Sequence, residues 1–306
     1  MALRGKKPEA VEKRLKALFF GMAGVGKTMA AIQFPRPYLI DTERGAENKS
    51  YKEALEKVGG EIYQTSDFDD VLVEATALLT ERHEFRTLII DPLTVVYNDI
   101  SEKAARTLAA KSKDGGDGTE FGRHKQVADR QVRRLLNILL RLDMNVIITS
   151  HAKTKWEKTG DSFKEAGTTF DCYPKLDYLF DLVFEIQKRG KDRVGIVRKS
   201  RVGGFPEGEV FPFSYDEIAT RYGRDILERR AATVVLATAE QVTKLKHLID
   251  VLHIEEAVVE KWLDKAQAES LNEMPAEAAD KCIKFMLAKV EATNGASDKT
   301  DASAAA

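Results

Sequence analysis

The stretch Gly21-Met22-Ala23-Gly24-Val25-Gly26-Lys27-Thr28 decides how this chain folds, because it fits the pattern G-x-x-x-x-G-K-[ST]. The apolar run Leu15–Phe20 before it predicts a short strand, and Met29–Phe34 after it predicts a helix that ends at Pro35. A strand, a glycine loop and a helix together place backbone N–H groups around phosphate oxygens at a helix N-terminus. The motif and its two flanks therefore predict a nucleotide site.

All eight residues of this P-loop are expected to contact the nucleotide, and two of them carry specific chemistry. The ammonium group of Lys27 can reach the β- and γ-phosphates, and the hydroxyl group of Thr28 can hold Mg²⁺. We therefore expect ATP and Mg²⁺ as the ligands of this site.

Length and composition limit the class of protein. With 306 residues and 43% apolar residues, the chain can form one α/β domain and a smaller appendage. It has no run of about 18 apolar residues, so no transmembrane helix is expected. The basic start Met1–Pro8 has no apolar stretch behind it, which argues against a secretory signal. Cys172 and Cys282 lack metal-site spacing and are expected to be reduced thiols of a cytoplasmic protein.

Residues 15 to about 215 alternate short apolar runs with helical stretches, which predicts an α/β fold with a mostly parallel sheet flanked by helices. The further predicted strands are Tyr38–Asp41, Ile62–Gln64, Thr87–Asp91 and Asn145–Ser150, followed by a hairpin of Leu182–Gln187 and Arg193–Lys199. The predicted helices lie near Ala46–Val58, Phe68–Arg82, Leu93–Ala110 and Phe121–Leu142. Lys111–Thr119 predicts a mobile loop, and the polar, aperiodic segment His151–Pro174 predicts a functional or disordered loop.

From residue 231 onward the pattern changes to amphipathic helices. We predict a core over residues 1–230, a three-helix module over 231–293 and a disordered tail over 294–306. The three helices are Ala239–Leu252, Glu255–Ala268 and Pro275–Val290. Their predicted bundle core is Leu245, Leu248, Ile249, Leu252, Val258, Trp262, Leu263, Ile283, Met286 and Leu287. Residues 231–295 carry 11 acidic and 7 basic side chains, which leaves the core mildly basic and compatible with nucleic-acid binding.

Two carboxylates are expected at the edge of the sheet where ligands bind. Asp91 ends the buried strand Thr87–Asp91 and is the candidate for orienting Mg²⁺. The alternative is an aspartate that only forms a turn before Pro92. Glu43 follows the second strand in Asp41-Thr42-Glu43, where a group that activates water is needed. The alternative is a solvated loop residue.

The order of these features resembles the RecA-like P-loop ATPases: glycine loop, strand into an acid-x-Glu, strand ending in Asp, and strand ending in a polar residue. The resemblance implies that Glu43 is the catalytic base and that His151 is the γ-phosphate sensor, where RecA itself has Gln. It also implies that Lys199 and Arg201, in Ile196–Gly204, match cations that reach the nucleotide of a neighbouring subunit. The alternatives are a loop histidine and a basic hairpin end.

Two segments are candidates for binding nucleic acid. Lys111 and Lys113, together with Arg123 and Lys125, flank the first predicted loop. The second segment, His151–Lys158, places Lys153, Lys155 and Lys158 around Trp156. Cations can follow the phosphates of a single strand while an indole ring stacks on a base.

The segments DTERG at 41–45 and LIIDPLT at 88–94 look like segments of phage-encoded RecA-like ATPases of the single-strand annealing and recombination group. That resemblance implies a DNA-stimulated ATP hydrolase that binds single-stranded DNA, assembles as a ring or filament, and works in the host cytoplasm with a single-strand-binding or replication protein. Two alternatives stay open. The chain could be a nucleotide-switched binding module with little turnover, docking through its helical module, or a small-molecule kinase, although no lid follows the P-loop.

Overall fold

Nine strands form the sheet that carries the glycine motif in this computed structural model, which describes residues 12–111, 117–160 and 162–301. In chain order they are β1 (Lys16–Gly21), β2 (Pro37–Asp41), β3 (Glu61–Gln64), β4 (Thr87–Asp91), β5 (Asn145–Thr159), β6 (Ser162–Phe170), β7 (Leu182–Arg189), β8 (Asp192–Ser200) and β9 (Val210–Pro212). Their spatial order is β3-β2-β4-β5-β1-β7-β8-β9, with β6 beside β5.

The six strands from β3 to β7 in this spatial order run parallel. Antiparallel pairing adds β8 and β9 beyond β7, and β6 beside β5. Parallel strands end at a common edge of the sheet, where ligands of α/β proteins bind. The loops that follow β1, β2 and β4 therefore meet at one edge. This arrangement confirms the predicted α/β fold with a mostly parallel sheet.

The helices of the described residues fall into an earlier and a later group. The earlier group is α1 (Lys27–Ala31), α2 (Lys49–Lys57), α3 (Phe68–Thr80), α4 (Leu93–Lys111), α5 (Arg123–Arg141), α6 (Leu176–Leu179), α7 (Tyr215–Tyr222) and α8 (Arg224–Glu228). The later group is α9 (Ala239–Val251), α10 (Glu256–Ala266) and α11 (Ala276–Asp301). Sequence periodicity did not predict α6, α7 and α8, because helices of four to eight residues contain too few turns to show it.

Buried aromatic rings fix β1 against β7 and the strands beyond it. Phe19 of β1 packs edge-on against Phe213, with ring centroids 5.0 Å apart, and Phe184 of β7 contacts both rings. Each of the three side chains is at most 3% exposed. Burying a ring of this size stabilises the fold by about 1.5–3 kcal/mol. The cluster therefore holds the P-loop strand in a fixed position relative to the β7–β8 hairpin.

The segment predicted as an aperiodic loop, His151–Pro174, is largely β-structure. β5 continues beyond Ser150 to Thr159, turns at Gly160 and pairs with β6, so the expected strand end at His151 is wrong. The alternation of a strand was not visible because most residues on both faces of this ribbon are exposed, so no regular apolar period marks it. We call the pair Ala152–Thr159 and Ser162–Phe170 the ribbon.

The chain divides into two units, which we call the core unit and the helical unit. In described residues, the core unit comprises 12–75, 83–111, 117–136, 142–160 and 162–232, and the helical unit comprises 76–82, 137–141 and 233–301. The domain boundary at residue 230 stays a prediction, since the helical unit also includes residues 76–82 and 137–141.

The helical unit contains α9, α10 and α11. A capping box between Thr238 and Gln241 begins α9. Six buried side chains form the core of the unit: Leu245, Leu248, Met274, Ala279, Ile283 and Met286. Trp262 and Leu263 pack against this cluster while staying partly exposed.

The disordered tail predicted for residues 294–306 begins inside a helix, because α11 continues to Asp301. The segment after Val290 contains alanines and no proline, so a helix can propagate through it once the preceding turns are fixed by packing. Residues 302–306 lie outside the described residues. No helix in the described part of the chain is both long and apolar enough to cross a membrane.

Candidate active site

The loop between β1 and α1 has a backbone conformation suited to binding phosphate. Gly24 and Gly26 have φ angles of 75° and 87°, which residues with a side chain rarely adopt. α1 begins directly after Gly26, so the unpaired N–H groups of its first turn adjoin the loop. Nζ of Lys27 donates to the carbonyl oxygens of Gly21 at 2.9 Å and Met22 at 3.0 Å. The pKa of Lys27 is lowered, because the effect of burial exceeds the opposing effect of the charges on Asp91 and Glu43.

Arg193, which the sequence analysis did not select, supports the P-loop from β8. Its Nε lies 3.3 Å from the carbonyl oxygen of Val25, to which it donates. A Cβ atom added to Gly26 would lie 2.5 Å from one guanidinium nitrogen of Arg193. Burial lowers the pKa of Arg193. The arginine therefore packs against the loop at the position where the motif requires glycine.

Asp91 lies beside the P-loop hydroxyl group, as the metal-site prediction requires. Its side chain is buried at the end of β4, and it accepts hydrogen bonds from the hydroxyl groups of Thr149 and Thr28. The pKa of Asp91 is raised, because the effect of burial exceeds the opposing effects of the two hydroxyl groups and of Lys27. Mg²⁺ commonly takes one or two protein oxygens and completes its shell with water and phosphate oxygens.

Among the described residues, no group of three His, Cys, Asp or Glu side chains could hold a metal ion alone. Thr28 and Asp91 fit an ion that shares its coordination with a phosphate, and they remain the predicted metal ligands.

The turn after β2 is fixed by Asp41. Its carboxylate accepts hydrogen bonds from the N–H groups of Gly45 at 3.1 Å and Ala46 at 3.0 Å. Asp41 is buried, so these bonds satisfy a carboxylate that water does not reach. The turn that they close carries Glu43 toward the P-loop.

Glu43 and His151 meet at the edge of the sheet. Oε1 of Glu43 lies 3.0 Å from Nε2 of His151, and each side chain is 43% exposed. Both positions were predicted separately, from the acid-x-Glu after β2 and from the end of the apolar run in β5. Their contact was not predicted, because it depends on β5 lying between β1 and β4.

His151 lies within β5, where this strand leaves the parallel sheet and enters the ribbon. Its Cα pairs with that of Gly21, the first residue of the P-loop. Its backbone N–H donates to Oγ1 of Thr94 at 3.0 Å, and its carbonyl oxygen accepts from the N–H of Asp171 at 2.8 Å. The histidine is therefore held on both sides, next to the P-loop.

A cavity of about 210 Å³ lies between these elements. Eight of the predicted site residues line it together: Ala23, Gly24, Gly26, Lys27, Thr28, Glu43, Asp91 and His151. Tyr51 of α2 lines the same cavity and was missed, because one tyrosine in an amphipathic helix carries no sequence signal. The loop conformation, the ammonium group of Lys27 and the buried carboxylate of Asp91 all fit a nucleoside triphosphate with Mg²⁺.

Lys199 and Arg201 lie away from this cavity, and both contact their own chain. Nζ of Lys199 donates to the carbonyl oxygens of Asp177 and Phe180, the latter at 2.9 Å. A guanidinium nitrogen of Arg201 donates to the carbonyl oxygen of Tyr178 at 2.8 Å. Burial lowers the pKa of Lys199, and the charge of Arg201 lowers it further. Their contribution to the site of a neighbouring subunit stays a prediction.

The ribbon displays two aromatic rings on one face. In the pairing register Trp156 lies opposite Glu165, and Lys158 lies opposite Phe163, so all four side chains share a face. Trp156 is 59% exposed and Phe163 is 67% exposed. Diagonal neighbours of this kind have Cα atoms about 7–8 Å apart. The sequence analysis identified Trp156 but missed Phe163, because the pairing of the two strands was not predicted.

The other predicted DNA-binding lysines lie in two places. On the opposite face of the ribbon, Nζ of Lys153 lies 3.0 Å from Asp171, and Nζ of Lys155 lies 2.6 Å from Glu157. Lys111 is the last residue of α4 and is exposed. Lys113 lies outside the described residues.

This fold, with the glycine motif and the cavity at one edge of a mostly parallel sheet, defines a P-loop α/β protein. The chain belongs to the AAA_24 family, whose model, described as an AAA domain, matches residues 13–212. Among solved structures, the chain is similar to the RadB recombinase, at 17% identity and a TM-score of 0.41, over 66% of this chain and 88% of that one. No curated protein matches the chain.

Proposed function

We propose that this protein is an Mg²⁺-dependent ATPase that binds single-stranded DNA through the ribbon and promotes annealing or recombination of DNA strands. The observation that carries the proposal is the shared cavity of Lys27, Thr28, Glu43, Asp91 and His151. In one small space it joins a phosphate cradle, a place for a metal ion and a carboxylate that can accept a proton.

Each of these residues has a role in the proposed hydrolysis. The P-loop N–H groups and Lys27 bind the phosphates, and Thr28 and Asp91 hold Mg²⁺. When bound, the metal ion offsets negative charge on the phosphate oxygens. Oε1 of Glu43 accepts a proton from the water that attacks the γ-phosphorus, and the bond to the bridging oxygen of ADP breaks. His151 orients that carboxylate through its 3.0 Å contact.

The continuity of β5 supports a link between nucleotide and DNA. His151 contacts Glu43, and five residues later Trp156 lies in the ribbon on the same strand. At about 3.3 Å per residue, the two positions are on the order of 17 Å apart. A strand is a rigid connection over this distance. We infer that DNA bound at the ribbon alters the orientation of His151 and thereby the rate of hydrolysis.

The ribbon suits a single strand better than a duplex. Trp156 and Phe163 offer exposed rings on which bases can stack, and Lys158, opposite Phe163, and Glu165, opposite Trp156, share their face. Stacking requires unpaired bases, which annealing and recombination proteins handle. Within a ring or filament, Lys199 and Arg201 would need to exchange their carbonyl contacts for the phosphates of a neighbouring subunit. A single-strand-binding or replication protein is the expected partner.

The test is ATP hydrolysis measured with and without single-stranded DNA, in parallel with light scattering. We expect hydrolysis that needs Mg²⁺, rises with DNA and accompanies large assemblies. Lys27→Ala should abolish turnover, whereas the exposed Lys57→Ala on α2 should leave it unchanged. Full activity of Lys27→Ala would overturn the proposal. Tight ATP binding with negligible turnover would instead favour the nucleotide-switched binding module.

A further inference from the structure

The helical unit has a groove that α10 and α11 line beside its buried core. The groove holds about 370 Å³. Trp262 and Phe285 line the groove with aromatic rings. The small side chains of Ala266 and Ala278 leave open space beside these rings. The two rings meet edge-on, with centroids 6.3 Å apart and an interplanar angle of 82°. Phe285 is 51% exposed, although it is a large apolar side chain.

The charge of the groove is opposite to that of its surroundings. Residues 231–295 carry 11 acidic and 7 basic side chains, yet the charged residues that line the groove are Lys265 and Lys281. Within the described residues, neither ammonium group has a carboxylate within 4.0 Å. A pair of exposed cations beside an apolar cleft selects a ligand that combines negative charge with an apolar side chain.

We propose that this groove binds a short acidic segment of a partner protein, with one aromatic or large aliphatic side chain seated over Ala266 and Ala278, beside the paired rings of Trp262 and Phe285. The carboxylates of that segment would lie against Lys265 and Lys281. This surface is independent of the nucleotide cavity, and it gives the helical unit a role in recruiting a protein partner.

A peptide fits this groove better than a nucleic acid does. The two rings contact each other edge-on, so they offer no flat surface on which successive bases stack, whereas the groove beside them has room for one side chain. A nucleic acid would also extend its phosphates across the acidic remainder of the unit. A short peptide needs only the two lysines for its carboxylates and the groove for its apolar side chain.

The chain provides its own optical probe. It contains two tryptophans, Trp156 and Trp262, so Trp156→Phe leaves the groove tryptophan as the only one. Titrating this full-length variant with the synthetic peptide Asp-Asp-Asp-Asp-Leu-Phe should give a saturable change in tryptophan emission. The same peptide with serine in place of Leu-Phe should bind at least tenfold more weakly, because it lacks the apolar anchor. Raising the salt concentration should weaken binding of the original peptide.

The control uses charge reversal at two places in the same unit. Lys265→Glu with Lys281→Glu should weaken peptide binding at least tenfold, while Lys244→Glu with Lys246→Glu on the exposed side of α9 makes the same change in net charge and should not. Lys265→Gln with Lys281→Gln gives the milder version, and circular dichroism checks that each variant folds. Equal affinity in both reversed variants, or no response to the peptide, would overturn the proposal. Competition by oligothymidylate at the same charge concentration would overturn it in favour of nucleic acid.

Discussion

Oε1 of Glu43 lies 3.0 Å from Nε2 of His151, and this contact joins the loop after β2 to a residue within β5 that is far away in the chain. Glu43 is positioned by the turn that Asp41 closes, and His151 is positioned by β5 between β1 and β4. The carboxylate that is proposed as the base therefore depends on a residue of the same strand that forms the ribbon. This dependence leads to the first prediction.

Glu43→Gln should lower the rate of ATP hydrolysis by about 10²–10⁴, the usual contribution of a general base, and leave nucleotide affinity unchanged. Steady-state turnover and the binding of a fluorescent ATP analogue measure the two quantities separately. His151→Ala should lower turnover less, and it should cost nothing further in a Glu43→Gln background, because it acts through the carboxylate. Full turnover in Glu43→Gln would place the base elsewhere.

Gly26→Ala should weaken nucleotide binding at least tenfold, since its Cβ would lie 2.5 Å from the guanidinium group of Arg193 and its φ is 87°. A second substitution, Arg193→Ala, should restore the part of the nucleotide affinity that is lost to the close contact. The cost of the backbone strain, about 1–2 kcal/mol, should remain. Gly208→Ala is the matched control, because Gly208 has a φ of 84° and open space around it. If Gly208→Ala weakened binding equally, the loss would not come from the loop.

Trp156→Ala and Phe163→Ala should each weaken the binding of single-stranded DNA by about 1–3 kcal/mol, the range for a stacked base. Fluorescence anisotropy with labelled oligothymidylate measures the effect. Phe121→Ala removes a ring that is 93% exposed at the end of the α4–α5 connection, just before α5, and should have no effect. A loss in Phe121→Ala with none in the ribbon variants would move the DNA site to the first predicted loop.

Lys16 provides a prediction about pH. It is buried at the start of β1, where Nζ donates to the carbonyl oxygens of Leu142 at 2.9 Å and Met144 at 3.0 Å. Burial lowers the pKa of Lys16 to about 7, compared with 10.5 for an exposed lysine. Between these two values the unfolded chain keeps a proton that the folded chain has released, so this residue makes the free energy of unfolding rise with pH.

Lys16→Met should reduce this rise by as much as about 1.4 kcal/mol per pH unit, which corresponds to one proton. Urea unfolding at a series of pH values above 7 measures the slope. The exposed Lys57→Met should leave the slope as it is in the unaltered protein. An identical slope in Lys16→Met would mean that Lys16 stays charged in the folded core.

The sequence predicted the parts of this molecule that depend on local patterns. The P-loop, the strand that ends at Asp91 and the alternation of strands and helices follow from glycine spacing and apolar runs, and the predicted α/β fold is confirmed. Contacts set by strand pairing could not be predicted in this way. Phe163 shares a face with Trp156 only through the β5–β6 register, and that ribbon lacks the apolar alternation that marks a half-buried strand.

The support that Arg193 gives to the P-loop has a consequence for how this site can be divided. A fragment that ends before β8 would contain every residue of Gly21–Thr28 and the strands that hold Asp91 and His151, yet it would lack the guanidinium group behind Val25. The segment Gly21–Thr28 therefore does not by itself contain all the contacts that support its loop. Arg193 reaches the loop from 168 positions further along the chain than Val25, so the contacts that support the loop are complete only once β8 has joined the sheet.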